Sequence, residues 1–462
     1  YKVMYRIING QSIYSKDFFR PLSDLSLYLC YQVAGLNSIV FNIFNLIIHS
    51  LNCFILYSFC RKSSLFDFQQ RKFIAITSSL LFLVYPFHNE SIVWIVGLGS
   101  NLSSFFGFLA LIILFSGIHS TWKYILVSFL YFLGLLTYET ILPLPLIVIV
   151  VLYKPQNSFR IYIPWIAYFS CTVMFYLIVR LAATEVMINS YGNSLFTKTA
   201  IDYILNTFKV FGKLVLPPSD NSVLLAFLLL VLFSITMLTA IKHRKSIGHI
   251  LMPLSIISTC IALACIIPIM FGVSTHTSEG NRLIYFASFF LMIWLALLVS
   301  LIRINVIRLS VLLFLSIYFL FLLVKSNTMW QKAGEITYYI IDRVSNERAN
   351  NDFIDLVNIP EEFDGAFIFR NGFKEALLIN NVDTSGIRIL RMMTSIEARK
   401  LDKTIIHSAK HGTTFVPPNT YIIDDSIITV VEPFTLDTSY YRIRYSSSLL
   451  YWNKHQLINL SY

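Results

Sequence analysis

Acidic and basic side chains are scarce in this sequence: together they make up 13% of its residues, beside 56% hydrophobic and 15% aromatic. Soluble domains carry about 25% charged residues, so this composition excludes an ordinary soluble protein. With a mean hydropathy of +0.67 the chain reads as a polytopic membrane protein. The formal net charge of +11 does not imply nucleic-acid binding, because most Lys and Arg of the first part lie in short loops between apolar runs, where they set topology. Cysteine is missing after Cys265: Cys30, Cys53, Cys60, Cys171, Cys260 and Cys265 all fall in or beside apolar runs. The polar C-terminal part therefore has no disulfide framework. Cys260 and Cys265 are expected to be buried small hydrophobes, not metal ligands. No signal peptide is visible at Tyr1, and no internal repeat is visible either.

What is present is organised around Leu80–Phe106, LLFLVYPFHNESIVWIVGLGSNLSSFF. An apolar run ends at Pro86, His88, Asn89 and Glu90 follow together, and the chain turns apolar again. That pattern predicts the mouth of a membrane bundle, where one helix surfaces and the next descends. Residues 1–36 read as an extracytoplasmic loop with an amphipathic surface helix near Leu22–Tyr31. A bundle of about ten spans is expected over 37–325, at roughly 37–60, 73–86, 98–118, 122–137, 139–153, 161–181, 221–241, 250–271, 282–302 and 306–324. Several are shorter than the ~20 residues that a perpendicular span needs, and 122–153 reads equally as a re-entrant pair broken at Glu139–Pro145. Residues 326–462 read as a surface helix, Met329–Val344, and a small soluble α/β or β-rich domain. Its strands are expected at Ala366–Phe369, Thr404–His407, Tyr421–Ile423, Ile427–Val431 and Tyr441–Tyr445, with a turn at Arg370-Asn371-Gly372. It shows no catalytic motif.

One set of loops carries Arg61, Lys62, Arg71, Lys72, Lys123, Lys154, Arg160, Lys242, Arg244, Lys245, Arg303 and Arg308; the alternate set carries only Lys198, Lys209 and Lys213. The positive-inside rule puts the first set in the cytoplasm. His88–Glu90, residues 182–220, Glu279–Arg282 and the C-terminal domain then face outward. An even span count with both ends outside predicts a further helix ahead of Tyr1.

Polar residues recur at that outward face. Arg20 precedes the surface helix, His88 and Glu90 cap the hairpin, Glu139 and Tyr138 sit at the next outward turn, Arg180 ends the sixth span, and Glu279, Arg282 and Tyr285 open the ninth. Charges are costly in a membrane, and any single one of these reads as a side chain reaching for the headgroups. As a set they place both signs at one level. Arginines there suit phosphate oxygens, while His88 and Glu90 suit a divalent metal or the orientation of an acceptor. Within the span 37–60, Asn42, Asn45, His49 and Asn52 share one helical face and read as interhelical hydrogen bonds.

Several of these segments resemble the GT-C glycosyltransferases close to the transmembrane O-mannosyltransferases that act on cadherins, and their bacterial relatives. The likeness begins at Phe19-Arg20-Pro21-Leu22-Ser23-x-Leu25-Ser26 and continues through Gly35-Leu36-Asn37 and Asn45–Asn52. Tyr85-Pro86-Phe87-His88-Asn89-Glu90 resembles the family's HP-hydrophobic-H-x-E signature, with Tyr85 in place of the first His. Thr137-Tyr138-Glu139 stands where the family has S-K-E, keeping the Glu and losing the Lys. Glu279-Gly280-Asn281-Arg282-Leu283-Ile284-Tyr285 resembles the E-R-x-x-Y start of a late span, and Asn327-x-x-Trp330-x-x-Ala333-Gly334 the approach to the C-terminal region. The resemblance implies a polyprenyl-phosphate-linked sugar donor, a protein or glycan acceptor, and inverting transfer on the outer face of a plasma or inner membrane. It implies donor-phosphate contacts for Arg282 and Tyr285, then Arg20 and Arg180, and sugar or acceptor contacts for His88, Glu90, Glu139 and Glu279. His88 and Glu90 are expected to serve the site and not the fold. The catalytic base is expected to be an acid upstream of Tyr1; Asp17 and Asp24, which flank the Arg-Pro motif, read as solvated loop charges. Two rival readings are a lipid or sugar-lipid transporter, which should show repeats and broken helices at the midplane, and a non-catalytic membrane scaffold.

Overall fold

The computed structural model describes residues 19–154, 156, 158–184, 198–215, 248–274, 277–302, 304–370 and 372–393, together with strand segments within 406–459. Residues 1–18 with Asp17, the expected span 221–241, Asn371, and the basic residues Lys242, Arg244, Lys245 and Arg303 lie outside the described residues. The chain divides into two compact units, Tyr1–Ser326 and Asn327–Tyr462.

The first unit is built of helices. Pro21, whose fixed φ suits a first helical position, opens α1 (Pro21–Ala34), which ends at Gly35 with φ +59°. Helix α2 (Ser38–Lys62) starts on the Asn37 side chain, which accepts the Ile39 amide, and ends on Arg61 and Lys62, whose charge suits the C-terminal dipole. There follow α3 (Phe68–Leu83), α4 (Leu98–Leu114), α5 (Ser120–Leu135), α6 (Leu144–Leu152), α7 (Ile163–Thr184), α8 (Ala200–Val215), α9 (Gly248–Ala264), α10 (Ile266–Phe271), α11 (Asn281–Ser300) and α12 (Asn305–Asn350). Helix α11 is buried along most of its length and packs on α3, α4 and α9. Its Phe286 and Phe289 stack on Phe108 of α4, with ring centroids 5.4 and 4.0 Å apart. Helix α8 is two-faced: Val210, Lys213 and Leu214 are buried, while Ile201, Ile204, Leu205 and Phe208 lie exposed on the other side.

This is a multi-pass membrane protein. Among the described residues, six helical stretches are long and apolar enough to cross a membrane: Ser38–Lys62, Ile95–Leu114, Phe159–Thr184, Leu251–Phe271, Asn281–Ser300 and Asn305–Asn350. Three further expected spans are helices, but short ones. At about 1.5 Å per residue, α3, α5 and α6 fall below the length of a perpendicular crossing, and the break between α5 and α6 lies in the expected Glu139–Pro145 region. The last expected span and the expected surface helix Met329–Val344 are one element, because α12 runs for 46 residues without interruption. No proline or helix-ending glycine motif stops it where hydropathy falls, and Ile340 and Val344 bury their side chains in the core of the second unit.

That unit combines a mixed sheet and an antiparallel one. Strand β1 (Phe353–Val357) lies between β5 (Ile387–Ile389) and β12 (Ser447–Trp452), parallel to both, and β13 (Leu457–Asn459) closes the sheet antiparallel to β12. Short pairs join β2 (Ile359–Pro360) to β6 (Met392–Met393) and β3 (Glu362–Phe363) to β4 (Ala366–Phe367). Helix α13 (Phe373–Ile379) adds Leu377 to a core that holds Ile354, Leu356, Leu450 and Trp452. A meander of β7 (Ile406–Ala409), β8 (Gly412–Phe415), β9 (Thr420–Ile423), β10 (Ile427–Val431) and β11 (Thr438–Arg442) supplies the antiparallel sheet.

Candidate active site

The site is assembled where α3 gives way to α4. Pro86 opens a single turn, Pro86–His88, followed by the one-turn helix Asn89–Ile92 and the turn Ile95–Gly97, so the chain doubles back within a few residues. Gly97 makes this reversal possible: a Cβ there would overlap the backbone carbonyl of Glu90. The fold buries His88, Asn89, Glu90 and Ser91 together.

Glu90 is fully buried and faces the start of α11. Its Oε2 accepts the backbone N–H of Arg282 at 2.7 Å, and its Oε1 forms an ion pair with Arg282 Nη1. One carboxylate thus caps a helix N-terminus, where the unpaired amides and the dipole favour an anion, and neutralises a guanidinium. Arg282 Nε donates to the Tyr138 hydroxyl at 3.3 Å, and the guanidinium carbon lies 5.3 Å from the Trp94 ring centroid. The other face of the cluster is arranged around Glu139. Arg20 Nε and Nη2 donate to Glu139 Oε2 at 3.1 and 2.9 Å, and Arg180 Nη1 donates to Glu139 Oε1 at 3.4 Å and to the Tyr176 hydroxyl at 3.1 Å. The Arg20 guanidinium sits 4.2 Å from the centre of the Tyr138 ring, so one tyrosine touches two arginines, by its face and by its hydroxyl. Burial disfavours the charge on Arg20, but Glu139 and then Tyr138 outweigh it and hold the guanidinium above its ordinary value. The Arg-Pro motif is itself pinned, through a backbone bond from Leu22 N–H to the Leu136 carbonyl at 3.1 Å.

Five of the residues predicted from sequence are therefore linked through Tyr138, which touches Arg20 and Arg282, with Glu90 paired to Arg282, and Arg180 joined to Arg20 through Glu139. Arg20 and Arg282 keep a quarter of their side-chain surface exposed, while Arg180 is almost enclosed. His88 and Tyr285 belong to a deeper layer. The Tyr285 hydroxyl lies 2.7 Å from His49 Nδ1 and accepts from Asn52 Nδ2 at 3.1 Å. Ser288 donates to the Tyr285 carbonyl at 2.7 Å, so His88 Nε2, 2.7 Å away, is the donor to Ser288. Asn52 also bonds Asn101, Asn101 bonds the Asn45 carbonyl, and Asn45 bonds the Ile92 carbonyl. The polar face of α2 works as interhelical hydrogen bonding, except at Asn42, which is exposed. His88 and Glu90 are both buried and bonded inside the bundle, so they contribute to the fold, where the sequence pointed to the site and not the fold.

Glu279 sits half-buried on the turn before α11, where its carbonyl accepts from Lys213 Nζ at 2.5 Å. Asp24 departs from the expectation of a solvated loop charge. It is buried within α1, because the Arg-Pro motif starts a helix and so turns Ser23 and Asp24 inward. Sequence reasoning named Tyr138 only as a neighbour of Glu139 and missed Trp94, Asn101 and Lys213. The Lys213 signal was its place one turn after Lys209 on a helix with a distinct apolar face; a loop assignment hid it. As metal ligands His88 and Glu90 do not fit: both Glu90 oxygens are committed to Arg282, and no group of three His, Cys, Asp or Glu stands together among the described residues.

No protein-family model matches the chain, and no solved structure matches it. A search of curated proteins finds a Caenorhabditis elegans protein O-mannosyl-transferase, 25% identical over 218 residues. The chain is similar to a protein O-mannosyltransferase. The likeness covers 42% of this chain and 28% of that protein.

Proposed function

We propose that this chain is a membrane glycosyltransferase that moves a sugar from a polyprenyl-phosphate-linked donor to a protein or glycan acceptor on the extracytoplasmic face. The observation that carries the reading is the gathering of three arginines in one cluster, Arg20 and Arg282 on Tyr138 and Arg180 joined to them through Glu139. A lipid-linked phosphate is an anion delivered at the membrane edge, and bidentate guanidinium donors match its oxygens. As the acceptor hydroxyl attacks the anomeric carbon, the leaving phosphate gains charge, and donors already fixed in place by Glu90 and Glu139 stabilise it without reorganising. The similarity to a protein O-mannosyltransferase supports the reaction class. Both carboxylates of the cluster are engaged by arginines, so neither suits the task of removing the acceptor proton. In this proposal that task falls to an acid outside the described residues, as the resemblance implies.

The same pairing of both carboxylates favours a second reading, a scaffold that keeps the fold without turnover. The two part on purified protein incubated with polyprenyl-phosphate mannose and an acceptor peptide. Binding and transfer are expected, with Arg282→Ala weakening donor affinity by about tenfold to over a hundredfold, the range for losing a hydrogen bond to a charged group. Binding without transfer by the full-length protein favours the scaffold. Unchanged affinity in Arg282→Ala removes the residue from the site.

A further inference from the structure

Lys213 is a buried cation outside the arginine cluster. It projects from the C-terminal half of α8 with 3% of its surface exposed. Its ammonium donates to three backbone carbonyls, of Ser274 at 2.6 Å, Thr277 at 3.1 Å and Glu279 at 2.5 Å. Those three acceptors match the three N–H donors of a lysine, and such matching is what lets a charge be buried. The carbonyls belong to the stretch that leads directly into Arg282. Other residues at α8 extend the same pattern upstream: Lys198 Nζ donates to the carbonyls of Met270 and Phe271 at 2.6 and 2.9 Å, and Asn206 Nδ2 to that of Ile269 at 3.1 Å. The carbonyls of residues 269, 270, 271, 274, 277 and 279 are therefore bonded to α8 and its N-terminal flank. Two left-handed glycines shape this region, Gly272 among the bonded residues and Gly280 directly after them, both at φ +85°. Gly280 is the residue before α11, and Arg282 is the second residue of that helix. The neighbouring Leu214 carbonyl accepts the Tyr85 hydroxyl at 2.7 Å, which ties the same end of α8 to the hairpin that carries Glu90.

We infer that Lys213 is a positioning residue: by holding the carbonyls of Ser274, Thr277 and Glu279 it fixes the turn that starts α11, and so sets the Arg282 guanidinium for the donor phosphate. A lysine that only filled space would be replaceable by methionine at no cost to the turn. What distinguishes Lys213 is that one ammonium bonds three carbonyls of one backbone segment. The part of this inference that concerns the donor rests on the glycosyltransferase reading; the part that concerns the turn does not.

The experiment separates the two. Ser278, 3% exposed on the turn, is replaced by cysteine in full-length protein whose exposed Cys171 is first changed to serine. Alkylation of Ser278→Cys by iodoacetamide is timed with Lys213 present, in Lys213→Met and in Lys213→Gln, and polyprenyl-phosphate mannose binding is measured in the same samples. Labelling at least tenfold faster in Lys213→Met is expected, with Lys213→Gln between it and the parent. Donor affinity should fall in step, and adding Arg282→Ala to Lys213→Met should cost less than it does alone, because both act through one contact. Equal labelling rates in the parent and in the folded variants overturn the inference. If Lys213→Met does not fold, Lys213→Gln decides by the same criterion. If the parent binds no donor while the labelling still accelerates, the glycosyltransferase reading fails and the holding of the turn stands.

Discussion

At the scale of single residues, the site depends on charges that are useful only in pairs. Glu90 has no exposed surface, and Arg282 has a quarter of its side chain in contact with solvent. Removing one partner of a buried pair leaves the other uncompensated, at about 3–5 kcal/mol; the partial exposure of Arg282 argues for the lower end. Glu90→Gln is therefore expected to lower the thermal unfolding midpoint of the detergent-solubilised protein, and Arg282→Gln to lower it more, because it strands a fully buried carboxylate where Glu90→Gln leaves a partly exposed guanidinium still beside Tyr138 and Trp94. A midpoint unchanged in Glu90→Gln would mean that the pair is not formed. Arg282→Lys keeps the charge but loses the planar fork that reaches Glu90 and Tyr138 together, so donor affinity should fall towards that of Arg282→Ala while the midpoint stays near the parent's. A headgroup anchor would tolerate lysine, and full affinity in Arg282→Lys would favour that role.

At the scale of elements, the tight return from α3 to α4 is the part with least tolerance. Any side chain at position 97 meets the Glu90 carbonyl, so Gly97→Ala should sharply reduce folded protein, as read by size-exclusion recovery, whereas Gly117→Ala, at a position open to solvent space, should not. In the second unit, Asp383 accepts from the hydroxyl and amide of Ser385 and pairs with Arg348 at 2.7 Å, and these contacts hold its carboxyl below the ordinary range. A carboxyl lowered in the fold adds stability above its unfolded value, about 3.9, and gives it up as pH falls through its folded value. Trp452 fluorescence during denaturation should show the parent ahead of Asp383→Asn above about pH 5, the two converging in more acidic solution; a constant gap would remove Asp383 as its source. These elements were legible to different degrees. Pro86, the Arg-Pro motif and the hydropathy breaks marked the mouth of the bundle, because each acts through local backbone chemistry. The clustering of Arg20, Glu139 and Arg180 followed from placing helix ends at one level. The pairing of Glu90 with Arg282, the burial of Asp24 and the reach of Lys213 depend on which helices become neighbours, and one sequence carries no record of that. The parallel centre of the C-terminal sheet was hidden for the same reason, since β1 and β12 are partners almost a hundred residues apart.

At the scale of the whole molecule, the arrangement of loop charges predicts that the C-terminal unit and the arginine cluster both lie outside the cytoplasm. A C-terminal reporter that works only in the cytoplasm should be silent, and a strong signal would reverse the orientation and with it the side on which transfer is proposed. The ion pair between Glu90 and Arg282 also has a bearing on how the protein is made. Its two halves are 192 positions apart, so at ordinary rates of synthesis, about 5–20 residues per second, Glu90 leaves the ribosome roughly 10–40 seconds before its partner exists. Glu139 waits a far shorter time for Arg180, and Arg20 is already there. While those 192 of the chain's 462 positions are made, the Glu90 carboxylate has no Arg282 to pair with. The helix that brings Arg282 to the proposed site is also the one that supplies the Glu90 carboxylate with its partner.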